Sequence, residues 1–165
     1  MIKWADISSC GQYRYSLIRQ WYEHDTARFV VFILLNPSTA DANRDDPTVR
    51  KCTGFARRWG YDGIKIVNLF AFRATDPVAL AHAGYPVGPA TDDYLQRETR
   101  SLADSIIVGW GANGTKCAKR IHHVMNLINR PVRCLRVLKS GQPAHPLMQS
   151  YSCFPQPWSP SCIRE

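Results

Sequence analysis

Four short stretches carry side chains able to hold water, protons or ligands, and each follows an apolar run. The first is Asn36-Pro37-Ser38-Thr39, with Asp41, Asp45 and Asp46 close behind it. The second begins at Asn68 and continues through Leu69, Phe70, Ala71 and Phe72 to Arg73. The third is Gly109-Trp110-Gly111-Ala112-Asn113, and the fourth runs from Gly141 through His145 to Pro146. An amide followed by a proline is a directional hydrogen-bonding group on a stiffened turn, suited to orienting a water or a polar ligand atom. It has no useful basicity, so proton transfer beside Asn36 would fall to a carboxylate. Asp41 and Asp45 are candidates for that role, whereas Asp46 is better explained as a helix cap. The structural alternative is that Asn36 and Ser38 form an Asx-type turn and cap the next segment. Four such stretches on comparable positions favour a pocket.

What could bring them together follows from the runs that precede them. The stretch 29–35, FVVFILL, is unbroken apolar sequence of the kind that forms a strand covered on both faces, and 64–70, 105–111 and 132–138 are similar. The segment 12–22 alternates Tyr13, Tyr15, Leu17 and Trp21 with Arg14, Ser16 and Gln20, which predicts a half-buried antiparallel edge strand. Helical periodicity separates the runs. In 46–60, Asp46 caps, Pro47 occupies the first turn, Val49, Cys52, Phe55, Ala56 and Trp59 share a face, and Gly60 ends the pattern. A helix is expected from about Thr91, and another carries Cys117, Ile121, Val124, Met125 and Ile128 inward. The expected fold is therefore α/β: three layers, α/β/α, around a central, mainly parallel four-stranded sheet with an N-terminal antiparallel edge strand. One domain is expected over 1–150, with 151–165 as a proline-rich tail wrapping the surface or loosely ordered. In an open parallel sheet the carboxyl ends of the strands are the ligand-binding edge, and all four polar stretches lie at such ends.

At 165 residues the chain accommodates one core, and its net charge of +8 favours a polyanionic partner, nucleic acid or nucleotide. Arg50, Lys51, Arg57 and Arg58 on the outer face of the first helix, Arg73, and a cluster around Lys116 are candidate phosphate contacts, though solvated helices display such charges in any case. The start of the sequence lacks a signal-peptide pattern and no apolar run reaches membrane-spanning length, so a cytoplasmic, non-membrane protein is expected. Six cysteines without Cys-x-x-Cys spacing read as core residues or free thiols. No metal and no cofactor are expected, and the sequence does not speak to oligomeric state.

The run LLNPSTADANRDDPTVRKCTGFARRWGYDGIKIVNLFAFRATDP, with VGWGANG and GQPAHPL, resembles the DUF1643 family from about Tyr13 to Leu147. That family is defined by sequence and implies no activity. A more distant resemblance links LLNPS, IVNLF, VGWGA and AHPL, in that order, to the uracil-DNA glycosylase-like superfamily. It implies that Asn36 positions an attacking water, that Asn68 reads a base edge with Ser38, Phe70, Trp110 and Gly111 around it, and that His145 donates to the departing base. The implied reaction is hydrolysis of an N-glycosidic bond without a metal. The segment HPLMQS lacks the second proline and serine of the superfamily's duplex-opening loop, which argues against base extrusion from double-stranded DNA. Two other classes compete: a binding module that recognises a base or modified nucleotide without chemistry, and an enzyme of free nucleosides or nucleotides.

Overall fold

The apolar run at 29–35 forms a strand, β3 (Phe29–Leu34), whose alternate side chains enter two separate cores. Val31 and Ile33 face one side of the sheet and Val30, Phe32 and Leu34 the other, all of them buried. Both faces therefore need helices, and a computed structural model describing residues 1–164 supplies them. On one face lies α1 (Pro47–Arg58), which buries Val49, Cys52, Phe55 and Ala56 against β3 and its neighbours. On the other lie α3 (Thr91–Glu98) and α4 (Ala118–Ile128), contributing Leu95, Ile121, Val124 and Ile128, with Leu80 from the short α2 (Pro77–His82). Each valine, leucine, isoleucine or phenylalanine among them stabilises the fold by about 1.5–3 kcal/mol on burial.

Helix α1 starts where the sequence directs it to. The Asp46 carboxylate accepts the Val49 N–H at 2.9 Å, satisfying one of the helix's orphan donors, and Pro47 needs no donor partner in the first turn. Gly60, at φ +76°, reverses the chain at the other end.

The sheet has seven strands in the order β1-β2-β4-β3-β5-β6-β7. The parallel part comprises β4 (Gly63–Asn68), β3, β5 (Ser105–Val108) and β6 (Val132–Cys134). Three antiparallel strands extend it: β2 (Arg14–Gln20) on β4, β1 (Ile2–Ile7) on β2, and β7 (Gln156–Trp158) on β6. The expectation of four strands plus one edge strand is thus corrected at both flanks. Strand β2 is not an edge, because β1 covers it, and all its polar positions but Gln20 are buried: Ser16 is fully enclosed, and Arg19 bonds to Asp45 and to the carbonyl oxygens of Ile18 and Asp41. Strand β6 is also shorter than the run at 132–138 suggested, for the chain leaves it at Leu135.

The tail is anchored in the same way. Trp158 of β7 is buried edge-on against Trp110 and donates to the Gly141 carbonyl at 3.0 Å. Tyr151 lies against Phe55, with the Lys51 ammonium and Arg58 guanidinium 4.1 and 3.8 Å from its ring centre. A Cβ at Gly54 would run into the Tyr151 ring, so the glycine is what lets the ring approach α1.

Among the described residues no helix is long and apolar enough to cross a membrane.

Candidate functional site

The strand order decides which side chains meet. Strands β2, β4, β3 and β5 stand side by side, so the rim from the start of β2 to the end of β5 covers three strand spacings, about 14 Å. Because β2 runs antiparallel, its first residue, Arg14, stands at the same rim as the carboxyl ends of β4, β3 and β5. A cavity of about 410 Å³ opens there, between the rim and the N-terminus of α1. Asn36, Ser38, Asn68, Trp110, Gly111 and His145 all line it, together with Arg14 and Asp46.

Asn68 ends β4 on the face toward α1, two residues after the buried Ile66. It is 2 % exposed, and neither its Nδ2 nor its Oδ1 has a hydrogen-bond partner. An unpaired polar group of this kind costs about 1–3 kcal/mol, and Asn68 presents one donor group and one acceptor at a cavity wall.

Asn36 is held differently. Its Nδ2 donates to Pro37 O at 3.1 Å and Ala74 O at 3.0 Å, with Phe72 O at 3.4 Å. The amide therefore clamps the loop after β4 to the loop after β3, and its orientation leaves Oδ1 as the uncommitted acceptor. Asn36 is consequently both a structural turn residue and a cavity residue.

His145 reaches the cavity through two backbone tethers. The Gly111 N–H donates to Pro143 O at 2.9 Å and the Ala144 N–H to Arg136 O at 2.8 Å, which fixes the loop after β6 against the end of β5. Gly111 sits at φ +80°, ψ −170°, a conformation essentially confined to glycine. His145 Nδ1 accepts the Leu147 N–H at 3.2 Å, so the neutral ring carries its proton on Nε2, where it can donate. Burial lowers the His145 pKa below its usual value, outweighing the opposite pull of the Asp46 carboxylate. The ring is neutral at pH 7.

The buried carboxylate in the cavity is Asp46, at 8 % exposure, which serves also as the α1 cap; the exposed Asp76, which caps α2, lines the cavity as well. Asp41 and Asp45 are not cavity residues. Asp41 accepts the N–H groups of Asn43 (first) and Arg44 in a turn, and these hold its pKa below the usual range. Asp45 pairs with the buried Arg19 at 2.8 Å. Phe70 lies in the core against Tyr85, away from the cavity. Trp110 contributes a cavity wall while its Nε1 donates to Gln142 Oε1 at 2.8 Å.

None of the cations singled out for phosphate lines this space. Arg50 donates to Asp45 O, Arg57 stacks on Trp21, Arg73 donates to Gly11 O and faces a neighbouring groove, and Lys116 borders a separate one. The cation that does line it, Arg14, was hidden in an alternating pattern that presented it as an outward polar position. The ladder between β1 and β2 shifts register there: Asp6 pairs with Ser16, but Ile7 pairs with Arg14, leaving Tyr15 as an extra residue. This bulge turns Tyr15 onto Tyr94 of α3 and Arg14 to the opposite face, where its Nη1 donates to Ala40 O at 2.9 Å. No sequence periodicity announces a bulge. Burial lowers the Arg14 pKa to about 10, partly offset by Asp46, and the side chain stays charged at neutral pH.

Fold and site together define an α/β protein with a ligand-sized cavity, its largely apolar wall carrying a few polar side chains, at the carboxyl rim of a parallel sheet. The chain belongs to the family described as DUF1643, protein of unknown function, whose model matches residues 14–147. No curated protein and no solved structure matches it.

Proposed function

We propose that the cavity binds a nucleobase and that the protein hydrolyses an N-glycosidic bond in a nucleic acid or nucleotide. The observation that carries this reading is Asn68, a buried amide with donor and acceptor both unpartnered, in one cavity with Asn36 and His145. An amide pairs naturally with the donor–acceptor edge of a base. The superfamily resemblance noted in the sequence assigns Asn68 the same part.

The chemistry follows from the groups available. The base sits with its edge on Asn68, and the Nε2–H of His145 donates to an acceptor on the base. Asn36 Oδ1 accepts a hydrogen bond from the attacking water and aims it at the sugar C1′. As the C1′–N bond breaks, its electron pair passes to the base, the water oxygen bonds to C1′, and a water proton leaves, ending on the base. The Asp46 carboxylate stabilises the cationic sugar and accepts the proton in passing. Neutral donors fixed in a partly dry site stabilise developing charge without reorganising, and losing one costs on the order of 10²–10³-fold in rate.

Incubating purified protein with DNA and RNA containing uracil, hypoxanthine or hypermodified bases, and with free nucleosides and nucleotides, tests this. Released base is measured by chromatography and abasic sites by alkali cleavage. Release abolished by His145→Ala or Asn68→Leu supports the reading; no release from any substrate removes it. A second reading, recognition without chemistry, draws support from the carboxylates: Asp41 and Asp45 are engaged elsewhere, and Asp46 Oδ1 is committed to the Val49 N–H. Retained binding without release selects that alternative.

A further inference from the structure

Arg14 is 3 % exposed, yet no carboxylate among the described residues lies within ion-pair distance of it. Only Nη1 has a protein acceptor, the Ala40 carbonyl. Nε is buried and unpartnered, and no protein acceptor is bonded to Nη2. The Nε–H and the adjacent Nη2–H point the same way from one edge of the guanidinium. Arg14 thus keeps free the fork that binds two neighbouring acceptors side by side. On the next strand, and on the same face of the sheet, stands the unpaired amide of Asn68.

Charge decides what the fork receives. Asp46 lines the same cavity and balances Arg14, and the exposed Asp76 lines it too, so the cavity holds no surplus positive charge before any ligand enters. A phosphate dianion would leave the enclosure strongly negative beside Asp46. A neutral heterocycle with two adjacent acceptors would not. A 6-oxopurine has this edge: O6 and N7 lie side by side, the pair that arginine reads in guanine, and the ring N1–H follows next to O6. Asn68 Nδ2 can share O6 while Oδ1 accepts N1–H.

We propose that Arg14 and Asn68 together form a recognition site for a 6-oxopurine base, Arg14 taking O6 and N7 and Asn68 taking O6 and N1–H. Adenine places an amino donor where Arg14 offers donors, and pyrimidines have no N7, so both are rejected. The recognition stands independently of catalysis. Where it rests on the hydrolysis proposed above, Arg14 also stabilises the departing base: the C1′–N9 electron pair spreads over the purine ring toward N7 and O6, under the guanidinium.

Calorimetric titration of the purified protein with inosine, guanosine, adenosine, uridine and inorganic phosphate tests the assignment. Inosine and guanosine are expected to bind about 10- to 100-fold more tightly than adenosine or uridine, the range for one bidentate base contact. Arg14→Lys and Arg14→Gln, confirmed as folded by circular dichroism, should lose that preference. If the variants do not fold, 7-deazainosine on the unaltered protein reads the same contact, and it should bind at least about tenfold more weakly than inosine. Equal affinity for all four nucleosides overturns the proposal, as does unchanged preference in folded Arg14 variants, or inosine binding displaced by inorganic phosphate. Tight, Arg14-dependent inosine binding without base release keeps this assignment and removes the hydrolase reading. Release of pyrimidines with no purine preference does the reverse.

Discussion

Replacing Asn68 by leucine separates a functional amide from a structural one. The two side chains are close in shape, and Asn68 is 2 % exposed at the end of a central strand, so leucine enters an enclosed position beside Ile66 and Leu34. In the free protein the amide has no hydrogen-bond partner at either polar atom. Each unpaired atom costs about 1–3 kcal/mol, and part of that cost remains where the cavity admits solvent. Relief of about 1–3 kcal/mol is therefore expected from Asn68→Leu. For a chain of this size, that raises Tm by about 2–12 °C, read by differential scanning calorimetry. The same variant should lose base binding altogether, because it removes the donor and acceptor that read the base edge. A gain in stability with a loss of binding is the signature of a residue kept for function. Destabilisation by more than about 1 kcal/mol would refute the reasoning, since it would mean that the amide supports the fold.

Other expectations follow from single contacts. Asn36→Ala should cost about 1–2 kcal/mol in urea denaturation, because it frees the loop carbonyls of Pro37 and Ala74, and it should also lower activity once stability is matched. Asp45→Ala leaves the 1 %-exposed Arg19 without its carboxylate and should cost about 3 kcal/mol or more in unfolding free energy, with little effect on ligand affinity in the folded fraction. Gly141→Ala combines a φ of +85° with overlap against the backbone of Cys162 and should destabilise by about 2–5 kcal/mol, detected as a lowered Tm. His145 has a depressed folded pKa, so its contribution to stability is fully present above its unfolded value of about 6.5 and is lost as pH falls through the lower folded value. Ligand affinity should follow the same acid limb, flat at neutral pH and falling only below the ordinary histidine range. His145→Gln should flatten it.

The sequence was most legible where one local rule acted alone. Asp46-Pro47 announced the start of α1, and the unbroken apolar run at Phe29–Leu34 announced a strand enclosed on both sides. The convergence of Asn36, Asn68 and His145 was also readable, because parallel strands put their carboxyl ends at one rim. What depends on neighbours distant in sequence was not. Strand β2 alternates like an edge, but β1 pairs outside it and encloses its polar side. The tail lacks periodicity, yet Gln156–Trp158 finds the free edge of β6 and places Trp158 against Trp110. The identity of the cavity's buried carboxylate and cation escaped for related reasons. Asp46 does two jobs at once, and Arg14 is re-aimed by a register shift that leaves no mark in composition or spacing.

The central claim is that the rim cavity takes a base between Asn68 and His145. A crystal structure of the protein soaked with inosine tests it most directly. The account predicts the purine ring inside the cavity, its O6–N1 edge on the Asn68 amide and a base acceptor within hydrogen-bond distance of His145 Nε2. Inosine bound elsewhere on the protein, with Asn68 untouched, would contradict it.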